Sequence, residues 1–164
     1  MKVFGLSLPT PLSEVALLAV RVIVGIIIGA HGWQKLTEIG PANFGQSLLA
    51  PNGVPLPIFM GYVVTFTEVI GGILLIVGLL SRLAALLLTI NLLIATLMVN
   101  MHVGLLSSTG GVGAELPLAL IAGFLAILSA GPGRLSLDYL LGVEREAIAE
   151  GHKSQRNWLR SFRP

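Results

Sequence analysis

Four stretches of about twenty apolar residues follow one another in this chain, and no other feature constrains its fold as much. A helix needs about 20 mostly apolar residues to cross about 30 Å of hydrocarbon, and backbone in lipid must satisfy its own hydrogen bonds. The first stretch runs from about Ser13 to Trp33 with one internal charge, Arg21. The second, Ile58 to Leu80, holds only Glu68, and the third, Leu83 to Met101, holds no charge. The fourth, about Ala114 to Gly131, is the weakest: it opens at Glu115 and contains Pro117, which falls in a first helical turn where a missing N–H costs nothing. Gly131-Pro132-Gly133 ends it. The expected fold is all-α, an integral membrane four-helix bundle with spans at about 13–33, 58–80, 83–101 and 114–131. Composition agrees: 11% of the residues are charged, against about 25% in a soluble domain that must coat itself with polar surface. The chain has no cysteine, which excludes disulfides, thiol redox chemistry, thiolate metal sites and covalent c-type haem. Lys2 is a weak n-region, Arg21 interrupts the apolar stretch and no small-residue cleavage site follows, so the amino-terminal stretch reads as a span rather than a cleaved signal.

The connections suit a compact bundle. Spans two and three are joined by little more than Ser81-Arg82, which makes them antiparallel neighbours. Between spans one and two, Gly40-Pro41 starts a short helix over 42–49, ended by Asn52-Gly53 and Pro55, which lies on the membrane surface or re-enters it. With both termini inside, the inner face collects eight cations (Lys2, Arg82, Arg134, Arg145, Lys153, Arg156, Arg160, Arg163), and the outer face keeps Lys35 alone. The bias orients the bundle with both ends in the cytoplasm. The chain thus divides into a bundle, 1–142, and a basic tail, 143–164, whose cations at helical spacing suit anionic headgroups; a solvated tail or a partner contact fits as well.

Charges at membrane depth cost roughly 2.5–3.5 kcal/mol each on insertion scales and are rarely idle. Counting along the spans brings Arg21, Glu68 and Asn91 to one mid-membrane level, as an Arg21–Glu68 ion pair with Asn91 beside it, serving either architecture or function. Gly25 and Gly29, four apart, allow close helix approach near Arg21. A second group gathers at the outer ends: His31 and Lys35 on span one, His102 at the end of span three and Glu115 at the start of span four. Two imidazoles, an ammonium and a carboxylate can bind a quinone carbonyl or relay protons, or else be interfacial side chains reaching for headgroups. A haem held by His31 and His102 is the weaker reading, and no spacing assigns a metal site.

At these residues the sequence resembles the DoxX family of small four-helix bacterial membrane proteins. The matching stretches are Arg21, His31-Gly32, Lys35-Leu36, Glu68 to Gly72, Gly78 to Ala85, Gly110-Gly111 with Glu115, and Gly131 to Asp138. The resemblance implies a multi-pass protein of the bacterial plasma membrane, a subunit of a respiratory or oxidative-stress redox complex; with no redox-active residue or cofactor motif of its own, the chain is not expected to be catalytic alone. Its expected ligand is a quinone-type molecule near His31, Lys35, His102 and Glu115. Its expected partners are lipid, protein subunits of the complex and a second copy of the chain, with no nucleic acid among them. A small transporter for protons or an anion, along the line of polar groups, and a scaffold that recruits proteins are the competing classes.

Overall fold

The computed structural model describes residues 2–3, 6–7, 10–98, 104–106 and 113–142. Two short strands, β1 (Lys2–Val3) and β2 (Leu6–Ser7), pair antiparallel at the start of the chain. Everything else is helix and turn: α1 (Thr10–Gln34), a π-helical turn (Lys35–Ile39), α2 (Pro41–Phe44), a second π-helical turn (Gly45–Leu49), α3 (Pro57–Val77), α4 (Ser81–Met98), α5 (Glu115–Ala130) and α6 (Leu137–Leu140). The protein is an all-α membrane bundle; among the described residues three helices are long and apolar enough to span a bilayer, and a fourth, α5, is apolar but shorter. At 1.5 Å per residue its 16 residues reach about 24 Å.

The four long helices form a ring in which α1 packs on α3, α3 on α4, α4 on α5 and α5 on α1. Between lipid and protein there is no hydrophobic gain, so close packing of small residues holds helices together. α1 and α3 show why: a Cβ on Gly25 would meet Ile76 Cγ1 at 2.9 Å, and one on Gly72 would meet Gly29 Cα at 2.8 Å. The apolar core, including Val24, Ile28, Leu75, Leu88 and Phe124, fills the ring. Large apolar side chains such as Ile26, Ile70, Ile90 and Leu125 point outward.

The span boundaries shift in one instructive place. The first span does not stop near Trp33; the helix continues from Leu12 through Ile39. The helix expected at 42–49 is present as Pro41–Leu49 and lies along the first half of α3. Its backbone comes so near α3 that Gly61 and Gly45 leave no room for a Cβ, against the carbonyls of Pro41 and Pro57 respectively. The second span ends at Val77, where Gly78 turns into the left-handed conformation (φ 78°), and the third begins at Ser81. Its expected end at Met101, together with His102 and the tail 143–164, lies outside the described residues.

Candidate functional site

The polar groups of the bundle settle at two levels. At the first, Arg21 does not meet Glu68. Its guanidinium is 2% exposed and donates to the carbonyls of Pro132 (2.5 Å) and Leu135 (2.6 Å), in the segment that follows α5. The reason is register: α1 is antiparallel to α3 with Gly32 against Glu68 and Val69, so Arg21 lies beside Gly78, where α3 ends, rather than beside Glu68. The segment 131–140 crosses under the bundle there like a clasp. Asp138, buried, accepts from the N–H groups of Leu80 (2.7 Å) and Ser81 (2.9 Å), while its own N–H donates to the Gly78 carbonyl. It therefore satisfies orphan donors at the start of α4 from far along the chain. Glu14 accepts from the N–H of Arg134 at 2.6 Å, and Ser136 caps α6. The sequence offers Glu14 as one end of a polar line for a transporter; in the structure it belongs to the clasp instead, and the parts played by Asp138 and Ser136 are not read from the sequence.

The second level is the bundle's middle. Lys35 Nζ reaches both oxygens of Glu68, at 2.6 and 2.5 Å, and sits 4.9 Å from the centre of the Phe44 ring. Asn91 Nδ2 donates to Glu68 Oε1 at 3.3 Å, so the structure brings these two residues of the expected network together. The pair is deeply placed, with side-chain exposures of 17% for Lys35 and 2% for Glu68. Lys35 gets there because the helix runs on past Trp33 and enters a π-helical turn at Lys35, a geometry often found at functional sites. It aims the ammonium back toward α3, and the helix Pro41–Phe44 brings Phe44 over it. A charge-neutral pair with a further amide donor is the arrangement that buried ions require.

The outer group of four is therefore not gathered. Lys35 belongs to Glu68; Glu115 is exposed at the start of α5; His102 is outside the described residues. His31 is half-buried and lines an open groove of about 750 Å³ on the α1–α3 face, a volume in the range of ligand sites. Gln34 and Glu38, joined at 3.1 Å, add the groove's other polar side chains. The remaining lining is apolar or glycine, with Trp33 and Ala30 on α1 and Val69, Ile73 and Ile76 on α3. The acid, amide and imidazole can exchange hydrogen bonds with a carbonyl or hydroxyl. Among the described residues no three His, Asp or Glu side chains gather as metal ligands would.

The family model named DoxX matches residues 16–101, about half of the chain. An uncharacterized membrane protein of Mycobacterium tuberculosis, Rv3486, is 29% identical over 143 residues, covering 80% of this chain and 85% of that one. A Bacillus subtilis protein named "Putative oxidoreductase CatD" is 36% identical over 89 residues, covering 54% of this chain and 62% of that one. No solved structure matches.

Proposed function

The chain belongs to the DoxX family of membrane proteins, and from that premise we propose that it is the membrane subunit of a redox complex, serving respiration or the response to oxidants. It offers a quinone-type molecule a place beside His31, and electrons come from a partner subunit. The observation that carries this reading is the groove: a recess with His31, Gln34 and Glu38 at one end, lined by Trp33–Gln34 and Val69, the sequence neighbours of the buried pair Lys35–Glu68. The oxidoreductase name of the Bacillus relative points the same way. A permeation path draws less support, because Val24, Ile28, Leu75, Leu88 and Phe124 pack tightly between the two polar levels.

In this proposal the protein sits in the bacterial plasma membrane with both termini in the cytoplasm, the bundle 1–142 in lipid and the basic tail 143–164 on headgroups or partner proteins. With Lys35 drawn into the bundle, the loops opposite the clasp carry no lysine or arginine at all, while Arg82 and Arg134 flank the clasp. A cysteine at Asn52 is then labelled by an impermeant maleimide on intact cells; labelling only after lysis reverses the orientation. The quinone site has its own test. Trp33 lines the groove, so a quinone bound there quenches its fluorescence; Trp158→Phe removes the other tryptophan. His31→Ala weakens quenching by menadione several-fold at unchanged thermal unfolding. Equal quenching in the two proteins contradicts the assignment.

A further inference from the structure

The groove contains a glycine that helix packing does not explain. Gly25, Gly32 and Gly72 are forced: a Cβ on Gly32 would meet Val69 N at 2.7 Å, and Gly25 and Gly72 are as tight. Gly29 is different. A Cβ there would meet nothing nearer than Gly72 Cα at 3.9 Å, an ordinary contact. Glycine within a helix costs about 0.5–1 kcal/mol relative to alanine, and here no close approach requires it. What its missing side chain does is keep the groove open between the His31 end and Ile76.

From Gly25 to His31 the groove runs about 9 Å along the α1 axis at 1.5 Å per residue. Its apolar wall continues on α3 through Ile73 and Ile76, toward the clasp. The polar side chains are confined to the other end, and they comprise a carboxylate, an amide and an imidazole, with no lysine or arginine lining the groove. A phosphate headgroup would meet Glu38 there without a cation to pair with. An uncharged head that exchanges hydrogen bonds, joined to a long apolar tail, matches both halves. We infer that the stretch floored by Gly29 is a channel for the isoprenoid tail of a quinone, which enters sideways from the bilayer and seats its head at His31. This inference rests on the quinone reading above and adds the tail as a specificity determinant.

The test uses the full chain carrying Trp158→Phe in phosphatidylcholine nanodiscs, with Trp33 as reporter. Menadione and phylloquinone share a naphthoquinone head and differ in the tail. Phylloquinone is expected to quench at a quinone-to-lipid ratio about tenfold lower than menadione. Gly29→Leu, which fills the channel, removes that advantage, so that phylloquinone quenches no better than menadione in the same variant. Ile73→Phe fills it from the α3 wall and does the same, which keeps the test decisive if the leucine variant does not fold. A tail advantage that survives in both variants, or none in the unsubstituted protein, overturns the channel while the head site stands. Absence of menadione quenching overturns the head reading, and the channel with it. Quenching only by a brominated phosphatidylcholine, lost in Gly29→Leu, assigns the groove to ordinary lipid and overturns the proposal as well.

Discussion

The clasp and the bundle's middle treat buried charge in opposite ways. Under the bundle, Arg21 and Asp138 spend their hydrogen bonds on backbone: carbonyls of the turn after α5 for one, N–H groups opening α4 for the other. These are turn carbonyls outside any helix and N–H groups at a helix start, and lipid offers them no water. In the middle, Lys35, Glu68 and Asn91 bind one another, on three helices whose backbones need no help there. Charge at the clasp answers a need the fold creates. Charge in the middle answers none, and the sequence neighbours of Lys35 and Glu68 line an open groove with a polar end, which is why the functional proposal rests there and not on Arg21.

The comparison can be broken by substitution. The largest effect is expected at the middle: Glu68→Gln or Lys35→Met strands the other charge, which typically costs about 3–5 kcal/mol. Thermal unfolding in a mild detergent measures it, and a loss under 1 kcal/mol would mean that lipid or water already compensates the pair. Arg21→Met comes next. It leaves the Pro132 and Leu135 carbonyls without donors and is expected to cost about 2–3 kcal/mol, in line with hydrogen bonds to a charged group. Asp138→Ala removes the cap on Leu80 and Ser81 and is expected to cost about 1–2 kcal/mol, read by the same melt and by faster amide exchange at the start of α4. The smallest effect has the opposite sign. Leu80 sits at φ 48°, in the left-handed region, so Leu80→Gly is expected to relieve about 1 kcal/mol of backbone strain, offset in part by its lost side chain.

Much of this fold is legible in the sequence because lipid leaves few options. The three long apolar helices and the shorter fourth, the short helix after Gly40-Pro41, the hairpin through Ser81 and the proximity of Asn91 to Glu68 all follow from apolar length, turn residues and helix faces. Arg21 eludes the sequence for a physical reason. Its partners are carbonyl oxygens, which no side-chain pairing argument can see, and depth counted span by span does not give the register, which sets Gly32 against Glu68 and Arg21 against Gly78. Lys35 was misread because an apolar stretch ending at Trp33 hides a helix that continues through polar residues to Ile39. The π-helical turn that redirects it has no sequence signature. Asp138 did leave a trace, an acid just after Gly-Pro-Gly-Arg-Leu-Ser-Leu, but which helix it caps is decided only by the packing of the ring.

The central claim, that the two polar levels are separate and that Glu68 belongs to Lys35, is tested most directly by paired double-mutant cycles in one detergent. Glu68→Gln with Lys35→Met should lose far less than the sum of the single changes, a coupling of about 2 kcal/mol or more, because removing both charges leaves none stranded. Glu68→Gln with Arg21→Met should be additive within about 0.5 kcal/mol, as for residues that share no partner. Strong coupling in the Arg21 cycle, with additivity in the Lys35 cycle, would contradict the account and restore a direct Arg21–Glu68 pair.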